Sequence, residues 1–156
     1  YKAKKIGYSP EIILSGRSLN DNMHKFVARE IISLMKSKDI DCKNSHVLIL
    51  GATFKENCPD YRNTRVYHLA KQLIKKQYRI NIHDPYLSEN VSNFPFKNLS
   101  LKNLENKKKK YDLVILAVPH KIYINQQRKI IDLLSQKGLI YDFRSSLQIN
   151  EKIIQG

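Results

Sequence analysis

Residues 48–65 read Leu-Ile-Leu-Gly-Ala-Thr-Phe-Lys-Glu-Asn-Cys-Pro-Asp-Tyr-Arg-Asn-Thr-Arg and concentrate the residue types that can hold an anion. An apolar run ends at Gly51, a loop bearing Lys55, Arg62 and Arg65 follows, and a helical pattern opens at Thr64. In such a layout the strand end fixes the loop, the free N–H groups of the helix start point at the ligand, and the cations meet its charge. A phosphate-bearing small molecule suits it. A second candidate, Arg144, stands two residues after Asp142 at the end of another apolar run. Its planar fork can grip two oxygens at once, whereas Lys55 offers a flexible point charge. The bland alternative is that each cation is a surface charge worth little, and that Asp60 simply pairs with Arg62 or Arg65.

These residues need elements to position them. In 18–36 the apolar residues Leu19, Met23, Phe26, Val27, Ile31, Leu34 and Met35 recur at three- and four-residue steps, the mark of an amphipathic helix. Ser18 or Asn20 can cap its start, and Lys36 and Lys38 suit the negative end of its dipole. A polar hinge over 37–45 follows. Strands are expected at 47–50, 79–83, 112–118 and 138–142, with helices at 64–76 and 129–136 between them. The connection over 87–111 should hold a short strand near 99–101 and then a short helix. Strand, helix, strand, connection, strand, helix, strand describes a parallel α/β sheet with crossover helices, and ligands bind such sheets beyond the carboxyl ends of the strands. Those ends are Gly51 to Lys55, Asp84 to Tyr86, Pro119 to Lys121 and Asp142 to Arg144.

Composition sets limits. With 156 residues and 42% apolar content the chain supports one core plus a helical appendage. The net charge of +14 raises a nucleic-acid reading, but the one dense run is Lys107 to Lys110, and no aromatic-interleaved basic stripe accompanies it. No stretch approaches the roughly 20 apolar residues that cross a bilayer. The chain opens on Tyr1-Lys2-Ala3-Lys4-Lys5 rather than Met, which suggests part of a longer protein whose targeting this end does not report, and a cytoplasmic location is the expectation. Cys42 and Cys58 have no metal-ligand spacing and are expected as free thiols. His24, His46, His68, His83 and His120 form no metal motif, and His68 reads as a satisfied core histidine. Gly51 is alone at its turn, so the G-x-G-x-x-G dinucleotide fingerprint is absent.

Four segments carry a resemblance. Gly51-Ala-Thr-Phe-Lys55-Glu-Asn-Cys-Pro-Asp60-Tyr-Arg62 resembles the G-x-x-F-K-x-x-x-x-D-x-R segment of the UDP-glucose/GDP-mannose dehydrogenase family. Ser15-Gly16-Arg17-Ser18-Leu19-Asn20-Asp21 is similar to that family's A-G-R-x-x-N-D lead-in to its central helix. Asp84-Pro85-Tyr86 resembles its D-P-x, and Tyr141-Asp142-Phe143-Arg144 its D-x-R. The Glu-Asn-Cys-Pro-Asp variant is most similar to the branch that oxidises UDP-N-acetylhexosamines for capsule, O-antigen or Vi-type polysaccharide.

The resemblance implies a central dimerisation helix over 1–40 and a C-terminal Rossmann-like UDP-sugar-binding domain over 41–156. Phe54, Lys55 and Arg144 match positions that contact the nucleotide-sugar, and Arg62 matches one that approaches NAD. Arg17 is an additional candidate for a capping or interface role, and Thr53 departs mildly from the small residue usual there. The implied reaction takes a C6 alcohol to a carboxylate by two hydride transfers to NAD through a cysteine thioester. Neither Cys42 nor Cys58 lies in the family's Gly-Gly-x-Cys setting, so neither matches the nucleophile, and the chain alone is expected to be inactive. NAD is then held mainly by an N-terminal domain outside this chain, and a homodimer forms through residues 18–36. Two other readings stay open: a stand-alone nucleotide or polyphosphate-binding Rossmann-like module, and a basic nucleic-acid-binding domain.

Overall fold

A computed structural model describes residues 11–41, 43, 45–88, 96, 98, 99 and 110–156. In chain order the elements are α1 (Glu11–Ser37), β1 (His46–Leu50), α2 (Val66–Lys75), β2 (Arg79–His83), β3 (Tyr111–Leu116), α3 (Lys121–Asn125), α4 (Gln127–Asp132), β4 (Leu134–Asp142) and β5 (Ile153–Gln155). The strands form one sheet in the order β2-β1-β3-β4-β5, and every pairing is parallel. This is the Rossmann-like α/β architecture expected, with a long helix ahead of it.

Strand periodicity explains the layers. Val47, Ile49, Leu113 and Ile115 face one core with Val27, Ile31 and Met35 of α1 and Leu69 and Leu73 of α2. Their neighbours Leu48, Leu50, Val114 and Leu116 face a second core with Tyr123 of α3 and Ile130 of α4. Alternate residues of a strand point to opposite faces, so short continuous apolar runs are what a sheet covered on both sides requires.

Several boundaries differ from expectation. The first helix starts by Glu11, so Ser18 and Asn20 are interior rather than capping residues, and the Asn22 side chain donates to the Ser18 carbonyl within it. Gly16 does not break the helix, because nothing packs against it and its cost is only backbone entropy. The hinge is less polar than its composition: Ile40 is buried in the core, and its N–H bonds to Met35 O at 3.0 Å. Residues 134–136 are strand, not helix. The Tyr111 N–H bonds to Leu133 O at 2.8 Å, and a register shift between Tyr111 and Leu113 lets β4 begin early. The third strand stops at Leu116 because the N–H groups of Ala117 and Val118 both turn to Leu50 O. A further strand, β5, follows β4 where no strand was expected, with Ile140 paired to Ile153. Of the short strand expected near 99–101, Leu99 donates its N–H to Ile82 O beside a bridge between Ile82 and Asn98, and residues 100 and 101 lie outside the described residues. The helix expected after it, Cys42 and most of the Lys107 to Lys110 run lie outside the described residues.

Candidate functional site at the strand carboxyl edge

Strands β1 and β3 are neighbours although β2 comes between them in sequence, so the chain reverses its direction of winding at this point. Their carboxyl ends are pressed together. Gly51 has φ +86°, and a Cβ there would lie 2.5 Å from Val118 Cβ, so only glycine fits. Its N–H bonds to His83 O at 2.8 Å, which draws the end of β2 into the same corner.

Beneath the loop sits a buried polar cluster. Asp84 Oδ2 accepts from the N–H groups of Ala52 at 2.6 Å and Thr53 at 2.9 Å, and Oδ1 accepts from Tyr86 N–H at 2.8 Å. His120 Nε2 lies 3.0 Å from the same Oδ2, and both side chains are fully buried. His120 Nδ1 accepts from Asn57 N–H at 2.8 Å, which places the ring proton on Nε2, facing Asp84 and Thr53 Oγ1. Asn98 closes the floor by accepting from Asp84 N–H and donating to the carbonyls of Asp84 and Leu87. Burial pushes the Asp84 carboxyl up, but the bonds from His120, Ala52 and Tyr86 outweigh it and hold the group below its ordinary value.

Next to this cluster, Tyr123 Oη donates to His83 O at 2.8 Å, so His83 Nδ1–H is the donor to Tyr123 Oη at 2.8 Å. Burial drives the His83 imidazole down to about 4, and it is neutral at pH 7.

The cations stand above this floor, in solvent. Phe54 is 53% exposed, and Lys55 Nζ lies 5.8 Å from its ring centroid. Arg62 makes a bidentate pair with Asp60 at 2.9 Å through both Nε and NH2, and this pair holds the Asp60 carboxyl down at about 2. Arg144 pairs with Glu56, and Arg65 with Asp21 of α1. The ion-pair alternative therefore holds for Asp60 and Arg62. Lys55 is the cation of this loop with no carboxylate partner among the described residues.

At the turn after β1 the N–H groups are already occupied. Those of Ala52 and Thr53 are taken by Asp84, a carboxylate of the chain itself. A cleft of about 330 Å³ opens instead between α1, the start of α2 and the ends of β3 and β4. Arg65 and Arg144 line it together with His24, Val66 and Phe143, while Phe54, Lys55 and Arg62 are not among its lining. His68 is half-buried and stacks on His24 of α1 at 5.1 Å between ring centroids, rather than entering the core. Cys58 is a half-buried free thiol in the loop, and Arg17 is exposed inside α1. Sequence reasoning missed Asp84, His120 and Glu56. The available signal was the pair of titratable residues at two of the four strand ends.

Comparison with known proteins settles the family. Residues 48–149 match the model of the UDP-glucose/GDP-mannose dehydrogenase family, UDP binding domain. The chain belongs to this family. It is 37% identical to the UDP-N-acetyl-D-glucosamine 6-dehydrogenase of Salmonella typhi over 156 residues, which are 99% of this chain and 36% of that protein. It is 34% identical to Protein CapL of Staphylococcus aureus, over 97% of this chain and 35% of that one. The chain thus spans about a third of the length of the curated relatives it matches. Among solved structures, a UDP-D-ManNAc dehydrogenase from Pyrococcus horikoshii superposes with a TM-score of 0.78 at 18% identity, covering 98% of this chain and 34% of the other. That likeness supports the fold. No described helix is long and apolar enough to cross a membrane.

Proposed function

We propose that the chain provides the nucleotide-sugar-binding part of an NAD-dependent UDP-N-acetylhexosamine 6-dehydrogenase. The observation that carries this reading is that the UDP-binding-domain match, residues 48–149, contains Phe54, Lys55, Arg62 and Arg144, all in the segments that follow the carboxyl ends of β1 and β4. In this reading Lys55, which meets no carboxylate among the described residues, supplies positive charge to the sugar-phosphate, and the Arg144 fork takes two phosphate oxygens after yielding Glu56. The exposed Phe54 ring covers an apolar face of the ligand.

The residues at the β1 turn do not fit a dinucleotide pyrophosphate. Val118 fills the space that a Gly-rich turn would leave open, and Asp84 engages the amides that would face a phosphate. NAD is therefore assigned to residues outside this chain, with exposed Arg62 as the one contact offered from this side. The two oxidation steps and their cysteine thioester are assigned there too, and the chain alone should produce no NADH from a UDP-sugar and NAD.

Calorimetric titration of UDP-N-acetylglucosamine tests the binding. Loss of the Lys55 charge in Lys55→Ala should weaken it about tenfold, or about 1.4 kcal/mol. Equal affinity in both proteins would overturn the assignment, as would steeply salt-dependent binding of a single-stranded oligonucleotide that ignores Lys55. We also infer a homodimer through residues 18–36 of α1. Leu19, Met23 and Phe26 are 67%, 42% and 50% exposed there, an apolar face that association would cover. A monomer at micromolar concentration in light scattering would contradict it.

A further inference from the structure

We propose that Asp84 and His120 are positioning residues that set the height and direction of Lys55, and that through Glu56 they hold Arg144 at the rim until a ligand replaces that pair. The inference rests on the substrate reading above and adds two side chains that touch no ligand in it. The geometry that carries it is a bracket. Asp84 Oδ2 holds the amides of Ala52 and Thr53 on one side of the Phe54 to Glu56 segment. On the other side His120 Nδ1 holds the amide of Asn57, which sits at φ +55°. The two clamping groups are joined to each other at 3.0 Å, so both ends of the segment hang from one buried unit. Thr53 Oγ1 adds a bond to Lys55 O at 3.0 Å and lies 3.2 Å from His120 Nε2.

The bracket reaches the segments that follow four of the five strands. Asp84 follows β2, His120 follows β3, and the clamped segment follows β1. Glu56, inside the bracket, meets Arg144 after β4. Asn57 Oδ1 accepts from Lys121 N–H at 3.1 Å and from Tyr86 Oη at 3.3 Å, and the Tyr86 ring covers His120 at 4.9 Å between centroids. A loop of long, solvent-exposed side chains gains a defined geometry only if its backbone is held, and bonds to a buried charged group hold it most firmly. The carboxylate also takes the place that a ligand phosphate has at the turn of a dinucleotide site, which leaves the outer lip for the nucleotide-sugar.

The test uses the whole chain with UDP as the probe, read by calorimetry and by amide hydrogen exchange of residues 52–62. His120→Phe keeps the ring shape but removes both bonds. It should weaken UDP at least tenfold and speed loop exchange, while exchange in 47–50 and 113–116 stays unchanged. His120→Gln, which can still donate to Asp84 and accept from Asn57, should restore most of the affinity. A folded His120→Phe with wild-type affinity and loop exchange would overturn the proposal, and so would a His120→Gln as damaged as His120→Phe. Should His120→Phe lose its cooperative melt, Thr53→Val carries the test: about threefold weaker UDP binding supports the bracket, and unchanged binding and exchange overturn it. If wild-type chain does not bind UDP, the substrate reading fails, and loop exchange alone decides the bracket in the same two directions.

Discussion

The carboxyl edge of the sheet has a dry level and a wet one, and each holds its carboxylates differently. Below, Asp84 and His120 are fully buried and the N–H groups of Ala52, Thr53 and Asn57 are directed at them. Above, Arg62 is 79% exposed against Asp60, and Arg144 is 58% exposed against Glu56. The buried pair cannot exchange its partners for water, so separating it leaves charge stranded in a medium of low polarity. The exposed pairs trade partners with solvent at little cost, which makes them replaceable by a ligand. One level stores geometry and the other offers charge.

Asp84→Leu should separate the two levels most sharply. It strands the amides of Ala52, Thr53 and Tyr86 together with His120 Nε2, and at about 1–3 kcal/mol for each buried donor left without a partner, a loss of at least about 3 kcal/mol in denaturant unfolding is expected. A loss no larger than that of an exposed substitution would erase the distinction. Acid should act next. Burial sets the folded His83 pKa at about 4 against an ordinary 6.5, so between those values the unfolded chain binds the additional proton. Stability is then complete above pH 6.5 and falls as pH drops toward 4, by about 3 kcal/mol for a shift of this size. The Asp84 contribution, with its pKa below 3.8, is lost only at still lower pH. A melting temperature that stays flat through the His83 window would contradict this.

Smaller effects belong to the wet level. Arg144→Lys retains charge but not the fork, and should weaken UDP binding about threefold to tenfold while the melting temperature is unchanged. A shift in melting temperature would mean that Arg144 is structural. Arg62→Ala should be the mildest, with neither UDP affinity nor melting temperature altered in this chain. Any loss of UDP affinity there would move Arg62 from the cofactor side to the nucleotide-sugar side.

The elements with strong local patterns were legible from sequence. The strand over 79–83 matched β2 residue for residue, and the apolar runs at 47–50 and 112–118 located β1 and β3. The start of β4 was not legible, because Leu134 to Gln136 has no strand pattern of its own and is recruited by pairing with Tyr111. Nor was the extent of α1, whose first two turns lie in solvent and contribute nothing to an apolar stripe. At the site, Lys55 and Arg144 could be selected because long cations at a strand end are recognisable by type, whereas Phe54 and the cofactor-side role of Arg62 came only from the family resemblance. Asp84 and His120 could not be selected. They are 36 residues apart, each ordinary in its own segment, and only the placement of β1 between β2 and β3 joins them.

Residue type and spacing by themselves determined the parallel α/β class, the single glycine at the first turn and the charge available at the rim, since these depend on local sterics and on side-chain chemistry. Tertiary structure decided which of those charges is free. Arg62, Arg65 and Arg144 each meet a carboxylate, Lys55 meets none among the described residues, and the amides of the first turn face Asp84. The physical reason is that charge partnership depends on distance in space. In a parallel sheet those distances are set by strand order, which a local pattern does not contain.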